Sequence, residues 1–374
     1  MDPITRGVSH LKHTVVAAAS STSKSRAEDF LKETGSPSDA KAYGSYEEFV
    51  KDPNIDVVYI ATPHSHHYQN AMLCLEAGKN VLCEKAFTVN AAQARELVKK
   101  AKEKNLFLME AVWTRYFPLS IYVREQITSG RIGPVARVIS DNSMACDPEK
   151  SYPDGKNRMV NPDLAGGALL DLGIYALTWI FQTLYHTQPE KDRQPPKLLA
   201  FVKNYEATQK ADEHSTMILS FPRSKELGGE AHAVATTSLR VATAPGGNMD
   251  TPCCRIQGPK GEIQVFPHSF RPLKTRIIGS DGKVDEKDWP IPGPGQGSGW
   301  YNGFGNSTQS EGEGQGMFWE ADETADAILS GRKEGKFLGL DESILIMEVM
   351  DEVRKQGGLV YPENIETTKY PTQL

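Results

Sequence analysis

The first 120 residues alternate between short apolar runs and stretches with helical periodicity. Unbroken apolar runs without polar alternation predict strands buried on both faces of a sheet. Four such runs occur, at residues 13–19, 56–61, 81–83 and 107–111. Between them, apolar residues recur at helical spacing, and Gly35 and Gly78 mark helix ends. Strands separated by single helices predict a parallel, doubly wound α/β sheet.

Two pairs of polar residues predict helix starts in this half. Ser25 and Glu28 form a capping-box pattern before the first helix, and Asn90 with Gln93 forms a similar pair before a later one. In such a pair, the first side chain accepts a hydrogen bond from a backbone N–H of the first helical turn.

The pattern changes beyond residue 118. Consecutive strands joined by Gly, Pro and charged turns, with few helices between them, predict a mainly antiparallel sheet. The predicted strands are 131–142, 198–205, 215–221, 232–241, 255–265 and 275–278, and a closing helix is predicted near 342–356. We therefore expect an α/β domain at 1–117 and an α+β domain with an open-faced sheet at 118–374. A ligand is expected where the strand ends of the first domain meet the second.

Composition narrows the classes of function. The chain has 42 Lys and Arg against 48 Asp and Glu, a net charge of −6 and no basic run, so nucleic acid is not an expected partner. The sequence shows neither a secretory signal pattern nor an apolar run of membrane-spanning length, so no membrane partner is expected. Five cysteines without CxxC spacing favour a reduced, cytoplasmic location and no zinc site.

The turn after the first predicted strand has hydroxyl and cationic side chains. The turn contains Ser20, Ser21 and Arg26, and no Asp or Glu lies between the predicted strand and Glu28. In a dinucleotide-binding domain, such a set suits a ribose 2′-phosphate, whereas an acidic residue suits a free 2′-hydroxyl. A solvated helix start is the alternative explanation.

The turns after the next two strands are also polar. Residues 62–67 (TPHSHH) contain three histidines, but no nearby Asp, Glu or Cys completes a metal site. We expect a polar lip over a cofactor there, and no bound metal. The following turn contains Glu84 and Lys85, which form either a solvated ion pair or a source of positive charge beside a reacting oxygen.

A motif rich in small residues lies in the second half, GGALLDLGIY at 166–175. It places Asp171 and Tyr175 four residues apart, so they share one face of a helix. A buried carboxylate and phenol need polar partners, which is satisfied either by a structural hydrogen bond or by a functional site.

The string from Asp56 to Arg115, together with GGALLDLGIY, resembles the glucose-fructose oxidoreductase and inositol dehydrogenase family. The closest likeness is to its dimeric dihydrodiol dehydrogenase branch, which includes NADP-dependent D-xylose 1-dehydrogenases. The resemblance covers most of residues 8–265. It implies a Rossmann-like domain that binds NADP. It also implies a C-terminal sheet that carries an aldopentose or dihydrodiol substrate and forms a homodimer.

The resemblance also implies residue roles. Lys85, in the family's EKP turn that here reads EKA, is expected to be catalytic together with Asp171 and Tyr175. Trp113 is expected beside the substrate, together with Asp171 and Tyr175. The residues expected to contact the cofactor are Ser20, Ser21, Arg26, Thr62, Pro63, His64, His67, Glu84, Lys85 and Arg115.

These residues suit alcohol oxidation. A hydride must leave for the nicotinamide while a base takes the hydroxyl proton. We expect Tyr175 to exchange that proton, because the charge of Lys85 would favour its phenolate. Asp171 is expected to orient the sugar hydroxyl or the Lys85 ammonium.

One family feature is absent from the sequence. No G-x-G-x-x-G occurs in the 374 residues, and the run at 13–19 corresponds to the family's second strand. The Rossmann-like domain is therefore expected to be incomplete at its start, with exposed strand edges and weak or no binding of NADP. The alternative function is a non-catalytic, carbohydrate-binding or dimer-forming relative that has lost its cofactor.

Overall fold

The N-terminal part of the chain alternates strands and helices, as its apolar periodicity predicts. The computed structural model describes residues 11–208, 210–301 and 311–374. The strands are β1 (Ala17–Ala19), β2 (Lys41–Tyr43), β3 (Val57–Ile60), β4 (Asn80–Glu84) and β5 (Leu108–Ala111). The helices are α1 (Lys24–Glu33), α2 (Tyr46–Phe49), α3 (His64–Glu76) and α4 (Ala91–Lys104).

The five strands pair in parallel, but they form two separate sheets. β1 pairs with β2, and β3, β4 and β5 form a three-stranded sheet with β4 in the middle. Within the described ranges, no strand pairs with the free edge of β1 or with that of β3. In the doubly wound strand order, the first strand lies between these two edges. The division therefore agrees with the missing glycine-rich turn.

Two local predictions in this half are wrong and one is confirmed. The first strand covers only the last three residues of 13–19. α1 begins before the predicted capping box, because Ser23 is its N-cap and accepts a hydrogen bond from the Arg26 N–H at 3.4 Å. The Asn90 cap is confirmed, since its side chain accepts from the Gln93 N–H at 2.9 Å at the start of α4.

The second half contains an eight-stranded sheet, and the predicted fold class is confirmed. Its strands are β6 (Arg137–Asp141), β7 (Lys197–Asn204), β8 (Asp212–Phe221), β9 (Ala231–Ser238), β10 (Cys254–Gly258), β11 (Gly261–Val265), β12 (Lys274–Gly279) and β13 (Val284–Asp288). They lie in the order β13-β12-β11-β10-β6-β9-β8-β7. Every pairing is antiparallel except that of β6 with β9.

The helices of this half are more numerous than predicted. They are α5 (Pro118–Thr128), α6 (Pro148–Ser151), α7 (Ile174–Leu184), α8 (Phe318–Leu329), α9 (Leu340–Gly357) and α10 (Glu363–Glu366). Of these, α9 corresponds to the predicted closing helix, and α7 corresponds to the helix predicted to carry Tyr175. The run predicted as one strand at 255–265 is a hairpin, with β10 and β11 turning at Pro259 and Lys260. β13 has no burial pattern to predict it, because all five of its residues are exposed.

Two helices position the site. α7 is buried along its whole length and packs on β6 and β9, while α9 packs on β7 and on α4 and so joins the two halves. The stretch Pro162–Leu184 is long and apolar enough to cross a bilayer, and 94% of its apolar window is buried within the fold. The outer face of the large sheet is open, and Leu199, Phe201 and Ile218 are exposed on it.

Candidate active site

The GGALLDLGIY motif forms a π-helical turn followed by α7. Leu169–Gly173 make the π turn, and α7 continues directly from it. Such turns are rare in proteins and are frequent at functional sites. The turn carries Asp171, and the first turn of α7 carries Tyr175. The predicted regular spacing on one α-helical face is therefore altered, yet both side chains approach the same cation, Lys85.

The two glycines of the motif admit neighbouring groups that a side chain would displace. A Cβ on Gly166 would lie 2.6 Å from the backbone oxygen of Arg158. A Cβ on Gly167 would overlap the carboxyl group of Asp212, and Gly167 also has a φ of +136°, which L-residues rarely adopt. Asp212 in turn accepts a hydrogen bond from the Leu169 N–H at 2.8 Å, which holds the start of the π turn.

Lys85 at the end of β4 links the two domains at this point. Its Nζ donates to Oδ1 of Asp171 and to the Asp171 backbone oxygen, both at 2.9 Å. The same Nζ lies 5.1 Å from the centroid of the Tyr175 ring, over its face. The structure therefore brings together the ammonium, the carboxylate and the phenol.

The Tyr175 hydroxyl has a different polar partner from the one expected. Trp113 Nε1 donates to it at 2.8 Å, and Phe270 packs against the ring at 5.7 Å between centroids. Burial raises the pKa of Tyr175 well above its usual value, and the charges of Glu84 and Asp171 add to the effect. Lys85 thus contacts the ring face and not the oxygen, and its charge is already paired with Asp171.

Asp171 is ionised because two cations share one of its oxygens. Arg158 Nη1 donates to Oδ1 at 2.6 Å, in addition to Lys85. Burial by itself would raise the pKa of Asp171, but Lys85 and Arg158 outweigh burial and hold that pKa well below its usual range. His64 Nε2 lies 3.9 Å from the same oxygen, and burial lowers the pKa of His64 to about 3, so this imidazole is neutral at neutral pH.

Two further acidic side chains surround this group. One carboxylate oxygen of Glu84 accepts from the Tyr59 hydroxyl, and the other accepts from the Lys85 backbone N–H at 3.1 Å. Glu84 is therefore not the solvated partner of the Lys85 ammonium. Burial raises the pKa of Glu84, and burial together with the Glu84 charge raises that of Glu320 on α8. Sequence reasoning missed both Arg158 and Glu320, because neither belongs to a motif.

Two of the residues predicted to contact the cofactor have internal polar partners. The His67 ring is buried, with Nδ1 and Nε2 each 2.8 Å from a backbone oxygen, those of Ala86 and Thr62. Arg115 is fully buried and donates to Glu342 on α9 and to the backbone oxygen of Phe337. Both ring nitrogens of His67 and two of the three guanidinium nitrogens of Arg115 therefore have partners within the protein.

The remaining predicted cofactor residues lie at strand ends. Ser21 and Arg26 are exposed after β1, and Ser20 Oγ accepts from the Thr22 N–H at 3.3 Å. Thr62 Oγ1 accepts from the Asn70 side chain at 3.1 Å, and Pro63 precedes α3 as its N-cap. Within the described part of the chain, no group of three or more His, Cys, Asp or Glu side chains is arranged to hold a metal ion.

Comparison with known proteins identifies the fold. The family model described as an oxidoreductase family with an NAD-binding Rossmann fold matches residues 4–112. The GFO/IDH/MocA C-terminal domain matches residues 121–264. The chain belongs to the GFO/IDH/MocA oxidoreductase family. The resemblance inferred from the EKA turn and GGALLDLGIY is confirmed.

Curated relatives within the GFO/IDH/MocA family cover nearly the whole chain. It is 53% identical over 374 residues to the D-xylose 1-dehydrogenase (NADP(+)) of Hypocrea jecorina, covering 99% of this chain and 90% of that protein. It is 34% identical over 355 residues to human trans-1,2-dihydrobenzene-1,2-diol dehydrogenase, covering 94% and 91% respectively.

Solved structures share the GFO/IDH/MocA fold at low sequence identity. Aldose-aldose oxidoreductase from Caulobacter crescentus has a TM-score of 0.70 at 21% identity, covering 93% of this chain and 91% of that one. Levoglucosan dehydrogenase has a TM-score of 0.69 at 17% identity, covering 92% and 88%. These two likenesses establish the fold alone.

This chain has residues that suit the two ends of the cofactor of a GFO/IDH/MocA domain. It lacks the residues that would bind the diphosphate in the middle of that cofactor. The exposed hydroxyls and cation after β1 suit a ribose phosphate, and the strand ends beside Lys85 suit a nicotinamide. The diphosphate would need the N–H groups of a glycine-rich turn, and no G-x-G-x-x-G occurs in the sequence.

Proposed function

We propose that the protein is an NADP-dependent dehydrogenase that oxidises the anomeric hydroxyl of an aldopentose such as D-xylose to the lactone. The observation that carries the proposal is the group of Lys85, Asp171 and Tyr175 at the junction of the two domains. The 53% identical relative named D-xylose 1-dehydrogenase (NADP(+)) supports the substrate and the cofactor. A trans-dihydrodiol is the related alternative, since relatives at 34% identity act on such diols by name.

The hydrogen bonds leave the phenolic proton of Tyr175 available to a substrate. An indole N–H can only donate, so Trp113 occupies an acceptor site on the Tyr175 oxygen. The Tyr175 O–H is therefore not used by Trp113, and no described residue accepts a hydrogen bond from it. A substrate oxygen at this place receives that hydrogen bond and, during oxidation, gives its proton to the phenolate form.

Lys85 and Asp171 provide a positively charged hydrogen-bond donor beside the reacting substrate oxygen. Two of the three Lys85 N–H donors are used by Asp171, and the third remains for the reacting oxygen. The ionised Asp171 fixes the position of the Lys85 ammonium. NADP, when bound, accepts the hydride that leaves the reacting carbon with its electron pair.

A substrate panel tests the function. Purified chain is mixed with saturating NADP⁺ or NAD⁺ and with D-xylose, other aldopentoses or a trans-dihydrodiol, and NADPH formation is followed. We expect turnover with NADP⁺ and D-xylose, and a loss of about 10²–10⁴-fold in kcat for Tyr175→Phe. Tyr301→Phe is the matched control, because Tyr301 is exposed. Full turnover by Tyr175→Phe would contradict the proposed role.

The missing glycine-rich turn favours a second candidate, a carbohydrate-binding protein without catalysis. Saturation-transfer NMR with D-xylose distinguishes the two functions, because it detects a bound sugar without turnover. A sugar signal with no NADPH formation at any NADP⁺ concentration would favour the second candidate. NADPH formation would exclude it.

We also propose that the open sheet face pairs with a second copy of this chain. Leu199, Ile218, Val234 and Ile139 lie opposite one another on neighbouring strands and form an apolar row across β7, β8, β9 and β6. A depression of about 330 Å³ lies along this row, between the three strands β7 to β9 and Arg137. A self-complementary apolar face is typical of two-fold dimers.

Light scattering after size-exclusion chromatography tests the dimer. We expect a dimer for the wild type and a monomer for Ile218→Glu, because an interface would bury the new charge. Leu329→Glu is the control, since Leu329 is an exposed apolar residue on α8, away from the sheet face. A monomeric wild type, or a dimeric Ile218→Glu, would contradict the proposal.

A further inference from the structure

Arg158 is held beside Asp171 by the packing of its own loop. Met159 and Val160, which follow it, are buried in a cluster with Leu172 of the π turn. The Arg158 backbone oxygen approaches Gly166 so closely that only glycine fits there. The first glycine of the motif therefore serves to admit the Arg158 loop, and the loop and the π turn pack directly against each other.

The other end of this loop is fixed by an ion-pair network. Arg240 donates to Glu149 of α6 at 2.7 Å and, through Nε, to Glu213 of β8 at 2.8 Å. Glu213 is buried at the start of the sheet strand. The loop from α6 to Arg158 is thus anchored to the sheet at one end and to the π turn at the other.

Asp171 has two cationic partners on one oxygen. Lys85 and Arg158 both donate to its Oδ1, at 2.9 and 2.6 Å. His64 adds no charge at neutral pH, because burial lowers its pKa to about 3. The Arg158 guanidinium is therefore a second cation beside Lys85, at the edge of the site.

Arg158 is also the exposed member of the group. Its side chain is 57% exposed, against 12% for Lys85 and 8% for Asp171. A single N–H of Arg158 is used, by Asp171, and no other described residue accepts from this side chain. A guanidinium has five N–H donors in a rigid plane, so four have no partner among the described residues.

We propose that Arg158 is a substrate-binding residue that donates to two neighbouring hydroxyl oxygens of the sugar and so selects polyhydroxylated substrates. The proposal rests on the proposed function and adds a specificity determinant to it. Asp171 fixes one edge of the guanidinium. Two parallel N–H donors on the other edge match the spacing of two neighbouring hydroxyl oxygens. A lysine would present a single point of charge and would lose this match.

A purely structural Arg158 would act differently. The Arg158 side chain is more than half exposed, and Lys85 already orders Asp171 through two hydrogen bonds. Loss of a structural residue would lower activity equally for every substrate. Loss of a hydroxyl-binding residue lowers it selectively for the substrates that carry the bound hydroxyls.

The experiment compares D-xylose with its monodeoxy analogues on wild type, Arg158→Met, Arg158→Lys and Lys156→Met. Lys156 is the matched control, an exposed cation in the same loop. Initial rates with saturating NADP⁺ give kcat and KM, and saturation-transfer NMR without cofactor gives sugar binding independently of turnover. In the wild type, removing a bound hydroxyl is expected to lower kcat/KM about 10–100-fold.

In Arg158→Met, the penalty for the missing hydroxyl is expected to fall to within about twofold, with KM for D-xylose raised more than kcat is lowered. Arg158→Lys should recover only part of the discrimination, and Lys156→Met should behave as wild type. An Arg158→Met variant that keeps the wild-type penalty, or that loses activity equally on all sugars, overturns the proposal.

The NMR arm separates this inference from the proposed function. Sugar binding that depends on Arg158, without NADPH formation, would leave the inference standing while the dehydrogenase function fails. Equal sugar signals for wild type and Arg158→Met, or no sugar signal from the wild type, would overturn the inference whatever the turnover.

Discussion

Tyr175 and Arg158 define this site because each has hydrogen-bond donors that no described residue accepts and that a ligand can use. The Tyr175 oxygen accepts from Trp113 and keeps its own donor for a ligand, and Arg158 spends one of its N–H groups on Asp171. His67 and Arg115 show the opposite case, because both ring nitrogens of His67 and two of the guanidinium nitrogens of Arg115 have internal partners. The sequence contains all four residues, but the difference between them depends on contacts from distant segments.

The raised pKa of Tyr175 predicts how the rate of sugar oxidation depends on pH. Burial raises this pKa well above its usual value, so the phenolate is the minor form at neutral pH. Sugar oxidation uses the phenolate as base, so its rate should rise about tenfold per pH unit between about pH 7 and 9. The reverse reduction uses the neutral phenol and should not rise. A pH profile of kcat/KM checks this, and a flat oxidation limb would contradict it.

At the scale of elements, the π turn depends on its second glycine. Gly167→Ala adds a side chain at a φ of +136° and forces it into the Asp212 carboxyl, so we expect destabilisation of about 2–4 kcal/mol. Gly155→Ala is the matched control, since Gly155 also has a positive φ, +64°, but nothing lies within 4 Å of its Cβ position.

Urea unfolding of the wild type and both variants measures the difference. The control should lose only about 1 kcal/mol, the strain of its backbone angle. Equal losses at the two positions would contradict the argument that Gly167 is required by a close contact.

Asp212 at the start of β8 predicts a pH-dependent stability. Burial raises its pKa to about 6 from a model-peptide value of 3.8, while its Oδ2 accepts from the Leu169 N–H. Between about pH 4 and 6 the folded state keeps the proton that the unfolded state loses, so the free energy of unfolding falls as pH rises and stays lowered above pH 6.

Asp212→Asn removes this titration and can keep the hydrogen bond through its amide oxygen. The variant should be as stable as wild type near pH 4 and more stable at about pH 8, by on the order of 2 kcal/mol. Denaturant unfolding at both pH values checks the prediction. Parallel pH dependence in the two proteins would rule out a buried, titrating Asp212.

At the scale of the whole molecule, the five parallel strands of the first half form two separate sheets. The absent glycine-rich turn removes the N–H groups that would bind the diphosphate, so we expect NADPH to bind this 374-residue chain more weakly than micromolar. Isothermal titration calorimetry measures the dissociation constant. A micromolar value would mean that other residues replace the turn.

Much of the fold was predictable because buried strands and helices place apolar residues at regular spacings in the sequence. The apolar runs located β3, β4 and β5, and the strands after residue 197 located most of the large sheet. β13 is not predicted, because every one of its residues is exposed. α5 and α8 are not predicted, because the apolar pattern beyond residue 118 resembles strands joined by turns.

The group proposed to be catalytic was predictable only through motifs. Lys85, Asp171 and Tyr175 each lie in a recognisable segment, so their meeting could be expected. Arg158 precedes the GGALLDLGIY motif in a loop without periodicity, and Glu320 lies on an unpredicted helix. Their approach to the site is set by tertiary packing, which leaves no local pattern in the sequence.

The measurement that tests the central claim most directly is NADPH formation from D-xylose by Lys85→Met, with Lys99→Met as an exposed control on α4. If Lys85 stabilises the reacting oxygen beside Tyr175, kcat falls by about 10²–10⁴-fold while the control is unchanged. If Lys85→Met turns over sugar at the wild-type rate, the group at the domain junction is not the catalytic centre.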